Sequence, residues 1–261
     1  MEFRSLNLHL VAELGTWVTH DGSSDALPKL EHYLNDHPGI VFTLVTRSSF
    51  KQAVPRLEGL SRRLPEHFIP DAGTTIWHRD EQGAWIEDAE YRTWAESCWD
   101  PHALERFVEW ATPIGSKRAI GGLSLRHVIF EFEPAVDPSQ AIGKLEASLL
   151  NLGLSATVEQ FGHVLEVVPK GVNRVAAATF LHKQLNHPGP LMVCGSSELN
   201  LNLFQCADYP VLMANSPMGF ETPGIPSERI YLTANNGPAG ILEALMRVEF
   251  DNPYEPNKER S

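Results

Sequence analysis

Short apolar runs rich in Val, Ile and Leu alternate with segments of helical period at both ends of the chain. IVFTLVT at 40–46, PLMVCG at 190–195 and YPVLMA at 209–214 are continuously apolar. That is the pattern of strands buried on both faces of a parallel sheet. The helical segments between them are predicted at 25–36, about 48–63, about 172–185 and about 238–248. Pro55 lies inside the second and is expected to kink or split it.

The middle of the chain has a different period. HVIFEFE at 127–133 alternates by two, with Val128, Phe130 and Phe132 on one face. Asp100-Pro101 predicts a helix start, with Asp as cap and Pro in the first turn, and ALERFVEWA continues it. Asp137-Pro138 opens a second helix that Gly153 can stop in a left-handed conformation. SATVEQ and HVLEVV form an expected hairpin around Phe161-Gly162. Segregated helices with alternating strands describe an α+β module on an antiparallel sheet. Residues 80–168 therefore read as an insertion into an α/β core made of residues 1–79 and 169–261. The tail DNPYEPNKERS is polar enough to be disordered.

Composition narrows the function classes. The chain has 261 residues, of which 43% are apolar and 21% charged, enough for two domains with full cores. Its net charge of −12 argues against a general affinity for nucleic acid or for an anionic membrane surface. Cys98, Cys194 and Cys206 have no metal or disulfide spacing, and Cys194 sits on an apolar strand as a small hydrophobe. No apolar run is long enough to span a membrane, and the first residues lack a signal-peptide layout. A soluble, cytoplasmic protein is the expectation. The sequence also lacks G-x-S-x-G, a P-loop and H-x-x-x-H.

Four segments carry a more specific message. They are LNLHLVAELGTWV at 6–18, IVFTLVT at 40–46, VPKGVNRV at 168–175 and LMVCGSSELNLNLF at 191–204. In this order they resemble the four signature segments of the haloacid dehalogenase-like phosphohydrolases, in particular the sucrose-phosphate phosphatase branch. PDAGTTIW at 70–77 resembles the stretch that precedes the inserted cap of that family, and AGILEALM at 239–246 resembles its last helix. The resemblance implies a Rossmann-like core with a parallel sheet and an inserted α+β cap with an antiparallel sheet.

It also implies a chemistry that these residues do not supply. Members carry D-x-D-G-T in the first segment, Thr or Ser in the second, Lys in the third and G-D-x-x-N-D in the fourth. Aligned without a gap, Ala12 and Leu14 fall at the two aspartates, Arg174 at the lysine, and Ser196 and Asn200 at the metal-binding aspartates. The family mechanism needs the first aspartate as nucleophile, the second as acid and base, and magnesium held by carboxylates. Groups that act as a unit lose most of their effect when one is removed. No catalysis by that mechanism and no metal are therefore expected. The fallback is Glu13 as a shifted nucleophile with Glu198 as a metal carboxylate, in which case magnesium would be needed. Both glutamates also read as a strand end in solvent and a helix start.

Anion-binding parts remain at Gly15, Thr16, Thr46, Arg47 and Arg174, since turn N–H groups and a guanidinium fork suit phosphate. Thr46 reads equally as a strand terminus and Arg174 as a surface ion-pair residue. In the insertion, Arg126 and His127 stand where the resemblance implies contact with a sugar phosphate, and a solvated strand end is the alternative. Trp77, Trp85, Trp94, Trp99 and Trp110 fall in or beside the insertion and suit sugar stacking or core packing. Three functions compete. The preferred one is a non-catalytic relative that binds a sugar phosphate or a partner enzyme, with a glycosyltransferase of disaccharide synthesis implied by the resemblance. A divergent magnesium-dependent phosphatase using Glu13 and a plain interaction protein are the others.

Overall fold

The computed structural model describes residues 6–18, 25–113, 116–124, 126–196, 201–216 and 225–251. The chain runs β1 (Leu8–Glu13), α1 (Leu14–Trp17), α2 (Ala26–Asp36), β2 (Ile40–Val45), α3 (Phe50–Leu60), β3 (His67–Ile69), β4 (Trp77–Arg79), β5 (Trp85–Glu87), α4 (Ala89–Ser97) and α5 (Pro101–Trp110). It continues through β6 (Ser116–Ser124), β7 (His127–Phe132), α6 (Ser139–Asn151), β8 (Ala156–Phe161), β9 (Val164–Pro169) and α7 (Arg174–Gln184). The last elements are β10 (Leu191–Gly195), α8 (Leu201–Cys206), β11 (Tyr209–Leu212), β12 (Tyr231–Leu232) and α9 (Gly237–Asp251). The fold is α/β, with a large, mainly parallel sheet and a separate antiparallel one. Two compact units are distinguished: Met1–Val45, Val54–His67 and His182–Ser261 form the first, Thr46–Ala53 and Phe68–Leu181 the second.

In the first unit the strands lie in the order β12-β11-β10-β1-β2, and every pair is parallel. The central strand β1 is buried from Leu8 to Ala12, as the continuous apolar runs require. Trp17 packs its indole on Phe42, with ring centroids 4.3 Å apart. α2 buries Leu30 and Leu34 and packs against α9. Its one buried carboxylate, Glu31, accepts from the Ser61 hydroxyl and from the Arg62 and Arg63 amides, which satisfies its Oε1.

In the second unit β6-β7-β9-β8 form the antiparallel sheet. The period-two reading holds there: Val128, Phe130 and Phe132 are buried with Leu145, Leu149 and Phe107 from the two helices. Asp100 caps α5 by accepting from the His102 amide. Gly153 ends α6 with φ +71, as its position predicts. β8 and β9 form the expected hairpin, Phe161 pairing with Val164.

Two local readings change. The Gly-Thr segment after the first strand is a single helical turn, α1, because Leu14 and Trp17 both turn into the core. Pro55 does not split its helix; α3 runs from Phe50 to Leu60 through it. A proline removes only one intrahelical donor, and the rest of the helix keeps its bonds.

Candidate functional site

Within the first unit, β1 lies between β2, which follows it through α2, and β10 from the far end of the chain. The strand order reverses at β1, and in open α/β sheets ligands bind outside the carboxyl ends of the strands at such a reversal. The residues there are Ala12, Glu13 and Leu14 from β1 and its extension, then Gly195 and Ser196 from β10. Ala12 is fully buried, in register with Cys194 on one side and Leu44 on the other. Leu14 is buried as well. Glu13 ends the strand half-buried, and its carboxyl lies 3.9 Å from where a side chain on Gly15 would begin. Thr16 is buried, and its Oγ1 is 3.3 Å from Ser196 Oγ. Glu198 and Asn200 lie outside the described residues.

Magnesium takes hard oxygen ligands, with carboxylates prominent. At this strand edge Glu13 has the one carboxylate among the described residues, beside two hydroxyls. No group of three His, Cys, Asp or Glu placed to hold a metal occurs among the described residues. The described donors do not fit a magnesium site. Cys194 is buried, and burial pushes its thiol well above the usual range, so it is not a nucleophile there.

The second unit holds the remaining candidates in a connected polar cluster. Thr46 is buried, donates its amide to Ile69 O at 2.9 Å and accepts from Ser48 N at its hydroxyl. Arg47 grips Glu166 with two nitrogens: Nε to Oε2 at 3.0 Å and the terminal guanidinium nitrogen Nη2 to Oε1 at 3.0 Å. Its guanidinium also stacks on Phe161, 3.6 Å from the ring centre. His127 Nε2 lies 3.5 Å from the same Glu166 Oε1. Burial alone would push Glu166 up, but His127 and Arg47 outweigh it and hold the carboxyl below the usual range. Glu159, directly across the hairpin from Glu166, is raised by burial against the pull of Arg174. Arg126 donates to Glu87 at 2.6 Å. Arg126 and His127 are thus packed rather than solvated, and Arg174 is buried rather than on the surface.

Three features of this cluster had no clear sequence signal. Glu166 is one polar residue in an apolar strand, and nothing local ties it to Arg47. Asp71 and Ala72 both adopt left-handed backbone conformations, at φ +52 and +55, followed by Gly73 at +88. Such conformations in residues other than glycine are uncommon and cost free energy. Gly73 is required, since a side chain there would meet Arg174 N at 2.2 Å; its carbonyl accepts from the Tyr91 hydroxyl at 2.7 Å. Asp71 accepts from Thr75, and burial raises its carboxyl. The resemblance of PDAGTTIW to the stretch before the cap marked this segment without revealing its geometry.

The sequence model of the sucrose-6F-phosphate phosphohydrolases matches residues 6–249, nearly the whole chain. The chain belongs to that family. Among solved structures, this family member is similar to a sucrose-phosphatase from Synechocystis sp. PCC6803, determined in complex with sucrose and phosphate. The two share 21% identity over 92% of this chain and 97% of that one, with a TM-score of 0.75. A haloacid dehalogenase-like hydrolase from Bacillus subtilis matches at 15% identity, 93% and 91% coverage and a TM-score of 0.67. A trehalose-6-phosphate phosphatase from Aspergillus fumigatus matches at 14% identity, 93% and 92% coverage and a TM-score of 0.60. At these identities the likeness is one of fold. No curated protein matches the chain in sequence. No helix among the described residues is long and apolar enough to cross a membrane.

Proposed function

We propose that this member of the sucrose-6F-phosphate phosphohydrolase family is a pseudophosphatase. It binds a sugar phosphate, or a partner enzyme such as a glycosyltransferase of disaccharide synthesis, in a regulatory or scaffolding role in the cytoplasm. The observation that carries this reading is the end of β1. Ala12 and Leu14 are packed there as core residues, and the neighbouring strand answers with the Ser196 hydroxyl. An alanine offers no nucleophile and a leucine no proton to transfer. The partly exposed hydroxyl of Ser196 remains as a group that a phosphate oxygen can engage, with buried Thr16 behind it. Arg174 keeps a positive charge in the third segment.

The half-buried carboxylate of Glu13 favours a second reading, a divergent magnesium-dependent phosphatase with Glu13 in a rearranged site. Phosphate release from a panel of sugar phosphates with magnesium, beside thermal-shift binding on the same compounds, separates the two. The pseudophosphatase reading expects no release and a magnesium-independent stabilisation by one sugar phosphate. Release that disappears in Glu13→Gln overturns it.

A further inference from the structure

A second concave surface lies wholly within the second unit, between the end of α5 and the first turns of α6. It is a cleft of about 470 Å³, a size that suits a small organic ligand. Its floor is the outer rim of the cap core, Phe132 and Leu145. Trp110, the last residue of α5, forms one wall and is 72% exposed. Gln140 and Lys144 line the facing wall, one turn apart on α6 and about 6 Å along its axis. Among the described residues the side chains of Trp110, Gln140 and Lys144 have no hydrogen-bond or ring partner.

We propose that this cleft is a binding site for a neutral saccharide. A wide indole left in water presents a flat apolar face with one N–H at its edge, the shape that stacks on the C–H face of a sugar ring. Gln140 offers a carbonyl and an amide, and Lys144 offers donors, at a spacing that reaches hydroxyls on opposite edges of one ring. Charge selects a neutral ligand. The single cation, Lys144, shares the cleft with Asp137, whose two oxygens already accept from the Ser139 amide and hydroxyl. The site is independent of the Ala12, Thr16 and Ser196 residues, so it stands whether or not the chain hydrolyses phosphate.

The test is an NMR titration of the full chain, labelled with nitrogen-15, with sucrose, maltose and the acyclic polyol sorbitol. Trp110→Phe assigns the Trp110 indole signal. The expected result is a saturable shift of that signal with a disaccharide, none with sorbitol, and no reversal by inorganic phosphate. Gln140→Ala and Lys144→Ala each weaken the binding at least fivefold; both residues are exposed, so folding is unaffected. The proposal is overturned if neither disaccharide moves the signal, if sorbitol moves it equally, or if the double variant binds as the parent does.

Discussion

Thr16 Oγ1 and Ser196 Oγ stand 3.3 Å apart and join the turn after β1 to the end of β10 by a hydroxyl-to-hydroxyl hydrogen bond. The pair lies at the strand reversal, where the sheet topology places a ligand. It is a neutral pair that holds the two strand ends together. Thr16→Val keeps the shape of the side chain and removes the bond. The expected loss is about 1 kcal/mol of folding free energy, measured by denaturant titration. Ser196→Asp introduces a carboxylate beside Thr16, and magnesium-dependent phosphate release is not expected to follow, because Ala12 and Leu14 are unchanged.

Arg47 and Glu166 form a two-point ion pair with the glutamate nearly fully buried. Removing one partner of such a pair leaves a desolvated charge behind. Glu166→Gln is therefore predicted to destabilise the protein by about 3 kcal/mol. The double variant Arg47→Met, Glu166→Leu should recover most of that loss, since apolar replacements of similar volume avoid the desolvation cost. Additive losses across the single variants Arg47→Met and Glu166→Leu and the double variant would show that the residues do not act as a pair.

Gly73 approaches the start of α7 so closely that a methyl group would overlap Arg174 N, and its own φ is +88. Gly73→Ala should cost about 3 kcal/mol or more. Gly143→Ala serves as the control, because nothing lies near the added methyl in that exposed helix; it should be neutral or slightly stabilising. Equal stability of the two variants would contradict the close approach.

His9 supplies a pH dependence. It is fully buried on β1, with Nδ1 3.1 Å from His182 Nδ1 and Nε2 2.9 Å from the Thr43 hydroxyl. Burial, followed by the neighbouring His182, His67 and His187, lowers its pKa to about 3. In the unfolded chain the imidazole protonates near its ordinary value of about 6.5. Between those values the unfolded state binds the extra proton, so stability is complete above about pH 6.5 and falls as the pH drops toward 3. His9 alone should remove about 1.4 kcal/mol between pH 7.5 and 5.5. His182, also lowered by burial, adds to the same trend. Denaturant titrations at the two pH values should show this loss, and His9→Gln should reduce it.

The readable parts of the fold were those where one interaction dominates locally. HVIFEFE declares one buried face because Val128, Phe130 and Phe132 alternate into a single apolar core, and Asp100 declares a helix start because capping involves neighbours in sequence. The continuous apolar strands likewise gave the parallel sheet. The site was readable as a set of segments and not as a set of contacts. Leu-Gly-Thr-Trp looks like a turn, yet core burial of Leu14 and Trp17 winds it into α1. Glu166 lies 119 positions from Arg47, and no local period links them. The left-handed Asp71 and Ala72 lead into Gly73, which passes against the start of α7, and Ala72 goes against its residue preference. What escaped the sequence is therefore long-range pairing and backbone strain.

The most direct test of the pseudophosphatase reading is phosphorus NMR on sucrose 6-phosphate held with an excess of the protein and magnesium. Excess protein makes a single slow turnover visible, so weak chemistry is not missed. The expected result is a broadened or shifted sugar-phosphate resonance and no inorganic phosphate beyond the protein-free control. Growth of an inorganic phosphate signal, absent in Glu13→Gln, would contradict it and place a working carboxylate at the end of β1.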